Sequence, residues 1–192
     1  MKKYLILALA SILMACSEDE EPYPSVISEF VDIKSDSQGH LVSILTDTDQ
    51  NYTIASPITG YRPNAKYRGA CGYVPVGQVA HVRSLQPVQY LRDSSKVVRH
   101  DPIAVYSVWG TRRYVNMQLR PMTQGGQQYW GFAVDSILGR TAYLSLHHNQ
   151  GNDLQAYSTD VYASLSLDSI KQDSIQFTIH TFKGPKTWTI TK

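Results

Sequence analysis

An all-β fold is what this sequence predicts, and three observations carry it. Apolar and polar residues alternate with a period of two in one stretch after another. Beyond residue 25, no run of ten or more residues shows the 3.6-residue period of an amphipathic helix. Thirteen tyrosines, with abundant threonine and valine, suit strands better than helices.

The first element is not part of that fold. Lys2 and Lys3 form a positive n-region, Tyr4 to Ala15 an apolar h-region, and Leu13-Met14-Ala15-Cys16 reads as a lipobox. Residues 1–15 are then a signal peptide, and the Cys16 thiol takes a diacylglyceryl group. One acyl chain holds only marginally, whereas two or three, at about 0.8 kcal/mol per buried methylene, anchor firmly. A spanning helix needs about 20 apolar residues, and this run is too short. Residues 16–25 form an acidic, proline-bearing tether that cannot build a core. Within it, Ser17-Glu18-Asp19-Glu20-Glu21 resembles the export signal that sends lipoproteins of some Gram-negative anaerobes to the outer surface. The expected address is therefore the outer membrane, lipid-anchored and facing outward.

Residues 26–92 read as an OB-like barrel. Strands are expected over Ile27–Ile33, Gly39–Thr46, Asn51–Ala55, Lys66–Val74 and Val79–Leu91. Asp47-Thr48-Asp49 makes a tight polar turn, and Pro57, Gly60 and Pro63 punctuate a longer loop. Five strands in this length suit a small closed barrel. Residues 93–102 break the pattern and read as a linker. Residues 103–192 then read as an antiparallel β-sandwich. There Val115, Met117 and Leu119 oppose Tyr114, Asn116 and Gln118. Val161, Ala163, Leu165 and Leu167 oppose Tyr162, Ser164 and Ser166, and Ile175, Phe177 and Ile179 oppose Gln176, Thr178 and His180.

Charge and cysteine content narrow the chemistry. Without Lys2 and Lys3 the chain carries 16 basic and 16 acidic residues. They are unevenly spread: residues 17–61 hold nine acids and one base, and residues 62–140 hold eleven bases and three acids. That middle segment would draw an anionic partner only if its bases gather in space, and an envelope address makes nucleic acid an unsuitable one. With Cys16 lipidated, Cys71 has no disulfide partner and reads as a small buried residue.

Several motifs carry a resemblance. Asp101-Pro102-Ile103-Ala104-Val105, Trp109, Tyr114-Val115-Asn116-Met117, Leu144-Ser145-Leu146-His147-His148-Asn149 and Gly151-Asn152-Asp153 resemble the pattern of NigD-like proteins. Asp47-Thr48-Asp49 and Gly77-Gln78-Val79-Ala80-His81-Val82 are similar to that family's first half. The resemblance implies a cell-envelope lipoprotein with an OB-like domain and a β-sandwich. The family's name, drawn from a bacteriocin gene cluster, implies a protective role as one alternative. The Gln127-Gln128-Tyr129-Trp130 strand departs from the pattern, which would place a histidine there.

No catalytic set stands out. There is no Gly-x-Ser-x-Gly elbow and no His-Glu-x-x-His helix, and Gly125-Gly126 reads as a hairpin turn rather than a phosphate loop. Asp135, Asp153 and Asp160 are the acids from which a glycan hydrolase, the alternative reading, would draw its pair. His147 and His148 alternate across a strand and should face opposite ways, so no metal is expected with Asp153. No cofactor is called for. Binding is the more economical class: Trp109, Arg112, Arg113 and Tyr114 combine aromatic and guanidinium groups suited to a protein or glycan partner.

Overall fold

The computed structural model describes residues 25–94 and 98–192, and every regular element among them is a strand. The lipobox Leu13-Met14-Ala15-Cys16, the acidic run Ser17–Glu21 and the rest of the tether before residue 25 lie outside the described residues.

Strands β1 (Ile27–Ser35), β2 (Leu41–Thr46), β3 (Asn51–Ile58), β4 (Lys66–Val76) and β5 (Val79–Pro87) close a barrel in the order β1-β2-β3-β5-β4. The turn between β2 and β3 closes as its sequence predicts. Thr46 Oγ1 accepts the Gln50 N–H at 3.0 Å, and Asp49 takes a positive φ of 64°. Val31, Ile33, Leu41, Ile44, Ile54, Tyr73 and Ala80 fill the interior. Cys71 is part of that core, and burial, helped by Glu29, pushes its thiol up to about 11. It is a packing residue rather than a nucleophile.

The second body contains β6 (Gln89–Asp93), β7 (Ala104–Gly110), β8 (Tyr114–Arg120), β9 (Met122–Thr123), β10 (Tyr129–Leu138), β11 (Thr141–Asn149), β12 (Tyr157–Ser158), β13 (Val161–Ser166), β14 (Ser174–Thr181) and β15 (Gly184–Thr191). Eight of these form one ladder, β15-β14-β11-β10-β6-β13-β8-β7, with β9 and β12 paired separately. The ladder folds over on itself into a β-sandwich around Val115, Met117, Leu144, Leu165, Ile175 and Phe177. At one end its two edges meet: a Cβ on Gly110 would come within 2.2 Å of Ile190, so only glycine fits there.

Three details differ from the sequence reading. The expected strand Val79–Leu91 is two strands that belong to different bodies. The chain leaves the barrel at Val88, and β6 pairs parallel with both β10 and β13, burying Leu91 in the sandwich core. Alternation alone could not reveal this, because a buried residue in either core gives the same pattern. With β11 also parallel to β14, the ladder is mixed rather than purely antiparallel. In addition, residues 98–102 of the segment read as a linker dock onto the end of β11. Asp101 N–H donates to the His148 carbonyl and His148 N–H to the Arg99 carbonyl, each at 3.0 Å.

Candidate functional site: the polar seam between barrel and sandwich

Strand β8 shows why the seam exists. Alternation puts Val115 and Met117 into the sandwich core, which should leave Tyr114 and Asn116 in solvent. Yet Tyr114, Val115, Asn116 and Met117 are all buried. The barrel covers the outer face of the strand, so its polar residues lie between two bodies. Ser164, opposite Asn116 on β13, is fully buried for the same reason.

Arg68 from β4 fills the space they frame, its side chain 1% exposed. Its guanidinium donates to Asp32 Oδ1 at 3.1 Å, Asp47 Oδ2 at 2.7 Å, Asn116 Oδ1 at 3.1 Å and Ser164 Oγ at 3.3 Å. It also lies over the Tyr114 ring, 3.7 Å from the centroid. Asn116 Nδ2 donates to Asp47 Oδ2, and Ser164 Oγ donates to Asn116 Oδ1, which fixes the amide's orientation. On the other side of Asp32, Arg113 Nη2 and the Tyr114 hydroxyl both donate to its carboxylate. Burial, then the Asp32 charge, pushes the Tyr114 phenol well above its usual range, so it stays a donor. Two carboxylates of the barrel thus meet two guanidinium groups in the seam, Arg68 from the barrel and Arg113 from the sandwich. Among the described residues, Asp47 Oδ1 and Arg113 Nη1 are the buried side-chain atoms left without a protein partner.

The four residues proposed for binding therefore separate. Arg113 and Tyr114 are structural members of the seam, because the barrel covers the outer face of β8 at Tyr114 and its Asp32 engages Arg113 from the turn just before that strand. Arg112 stays exposed. Trp109 is 38% exposed and packs edge-on against Phe30 of the barrel, centroids 5.0 Å apart. Phe30 also meets Tyr162 at 5.5 Å. These aromatics border a cleft of about 420 Å³ to which both bodies contribute, with Glu29, Asp47 and Thr48 among its polar lining. The sequence reading missed Asp32, Arg68, Asn116 and Ser164. A signal was available in Asn116 and Ser164, polar residues in the middle of strands with cores on one side.

His147, His148 and Asp153 do not converge on one point. His147 Nδ1 accepts the Arg99 N–H, and residues 98–102 cover what would be its exposed face. His148 stacks on Trp130, centroids 4.3 Å apart, with Nδ1 against the Asp101 carbonyl and Nε2 against Gln128 Oε1. Two oxygens favour a doubly protonated ring, but burial outweighs them and holds His148 below the usual histidine pKa. Asp153 instead caps a loop, accepting from Thr123 Oγ1, Gln124 N–H, Gly126 N–H and Gln128 Nε2. Those hydrogen bonds hold its carboxyl well below the carboxylate range. Among the described residues, no group of three or more His, Cys, Asp or Glu side chains gathers as a metal site would.

Two predictions follow from this chemistry. Arg68→Ala leaves two partly buried aspartates without the cation they share, Asp32 keeping Arg113, and should cost about 3 kcal/mol, measured by urea unfolding. A loss under about 1 kcal/mol would show that the seam is not a buried ion network. The second concerns acid. Burial lowers His147, His148 and His180, so the unfolded chain binds protons more readily than the folded one. Stability should fall as pH drops through about 6.5 and go on falling to the lower folded values. His148→Gln should flatten that dependence, and an unchanged slope would contradict it.

Residues 86–192 match the NigD-like C-terminal beta sandwich domain. A NigD-like immunity protein from Bacteroides caccae is 25% identical, with a TM-score of 0.62 over 87% of this chain and 92% of its own. A toxin-related candidate from Parabacteroides distasonis is 11% identical, with a TM-score of 0.71 over 88% and 93%. A candidate lipoprotein from Bacteroides fragilis is 9% identical, with a TM-score of 0.65 over 88% and 98%. At those last two identities the likeness is one of fold alone. Curated proteins give no match. The matched sandwich starts at residue 86, beside the Val88 crossing from barrel to second sheet, and on that match the chain belongs to the NigD-like family.

Proposed function

We propose that this protein is a lipid-anchored outer-membrane protein that faces the cell surface and acts as a non-catalytic binding module for an envelope protein or glycan. The observation that carries the reading is the seam cleft. Trp109, half-exposed, sits where both bodies contribute lining residues, and the Arg68 network beneath fixes the two bodies relative to each other. A rigid aromatic beside fixed polar groups is how recognition surfaces concentrate their energy. The lipobox ending at Cys16 and the acidic run Ser17–Glu21 support the address, as does the fold shared with a candidate lipoprotein.

A non-catalytic role is supported by where the carboxylates are used. Asp153 caps its loop, Asp160 accepts from Arg120 Nε at 2.8 Å, and Asp135 accepts from Ser145 Oγ at 2.9 Å. The Bacteroides caccae relative, described as an immunity protein, favours a protective form of binding, in which the seam would capture a toxin-like polypeptide. The anchor is tested by Cys16→Ser in cells fed radiolabelled palmitate. Label should enter the parent and not the variant, and protease added to intact cells should degrade the parent. Equal label in both, or full survival until lysis, would reject the anchor or the outward display respectively. For the cleft, Trp109→Ala should abolish partner capture from envelope extracts while leaving the melting temperature within a few degrees. Capture unchanged in that variant would remove the cleft from consideration.

A further inference from the structure

A second groove, of about 530 Å³, shares no lining residue with the seam cleft. Its wall is the Gln127-Gln128-Tyr129-Trp130 segment, with Gln89, Thr123 and Thr159 facing it. Among the described residues, the lining contains no Asp, Glu, Lys, Arg or His. A charged ligand would lose its hydration there and meet no counter-ion. Instead the groove offers amides, hydroxyls and aromatic rings.

The groove is also built before any ligand arrives. Gln128 spends its amide internally: Nε2 donates to the Met122 carbonyl at 2.9 Å and to Asp153 Oδ2 at 2.7 Å, and Oε1 faces His148 Nε2. Trp130 is held by its stack on His148. A Cβ on Gly126 would fall 2.7 Å from the Asp153 carboxylate, so that loop fits tightly over its cap. Against this fixed frame, the side chains of Gln89, Gln127 and Thr159 are exposed and hold no hydrogen-bond partner among the described residues. Tyr129 presents a ring that is 49% exposed.

We propose that this groove binds a neutral saccharide. A free glutamine amide both donates and accepts, which matches a sugar hydroxyl that does the same. The C–H face of a pyranose ring lies on an aromatic side chain, and pockets of this kind use a few placed polar groups to set orientation. The inference rests on the binding-module reading and supplies the ligand class at a second place on the same molecule.

The test uses the full-length chain in mild detergent on a printed array of neutral and charged glycans, followed by calorimetric titration of the best hit. Neutral glycans should light up, with a dissociation constant of about 1 mM or tighter. Tyr129→Ala and Gln127→Ala should each weaken binding about tenfold at an unchanged melting temperature. Tyr106→Ala, which removes a 70% exposed tyrosine outside the groove, should leave it unaltered. A dark array, a response to charged glycans alone, or full affinity in the Gln127→Ala/Tyr129→Ala double variant would overturn the proposal. Binding of neutral, uncharged peptides in place of glycans, lost in the same variants, would also overturn it. Palmitate labelling and Trp109→Ala capture do not involve this groove, so the anchor and the seam can stand if the saccharide fails.

Discussion

One guanidinium group determines how the two halves of this protein meet. Arg68 is almost fully buried, and a buried cation is tolerated only when acceptors surround it. Those acceptors come from both bodies: Asp32 and Asp47 from the barrel, Asn116 and Ser164 from the sandwich. Satisfying Arg68 therefore requires the two bodies to sit in one arrangement, since sliding either would strip it of its Asn116 and Ser164 acceptors and pull Arg113 off Asp32. A purely apolar seam would tolerate such sliding at smaller cost, because dispersion and burial have little directionality. Arg113 and Tyr114 reinforce the same carboxylate from the sandwich side.

The arrangement also explains the uneven charge along the chain. Acids of residues 17–61 and bases of residues 62–140 look like opposed patches when written in a line. In the fold, Asp32 and Asp47 from the first segment meet Arg68 and Arg113 from the second. Part of the basic middle is therefore neutralised inside the seam and is not offered to an anionic partner. What the seam leaves outward is the half-exposed Trp109 beside Phe30 and Tyr162, a rigid aromatic edge on an ion-locked base.

A second rigid frame stands at the far end of β10 and β11. The segment over residues 98–102 hydrogen-bonds with the end of β11 and covers His147 and His148, while Asp153 pins the loop ahead of β10. Histidines and an aspartate that could have suggested a metal are used to hold backbone and amides in place. The groove next to them inherits that order: Gln128 and Trp130 are fixed from behind, which leaves Gln127 and Tyr129 to face solvent.

Local chemistry in the sequence was enough for the all-β class, the barrel followed by a sandwich, most strand positions, the Asp47-Thr48-Asp49 turn and a buried Cys71. Each rests on short-range rules, namely side-chain alternation, turn residues and apolar content, that operate within a few residues. Tertiary contact alone decided the rest. Val79–Leu91 reads as one strand, and only pairing partners far along the chain show that it divides at Val88. Tyr114 and Arg113 read as surface because alternation describes one strand and says nothing of a second body laid over its outer face. The acceptors of Arg68 lie up to 96 residues away in sequence, so no local pattern could assemble them.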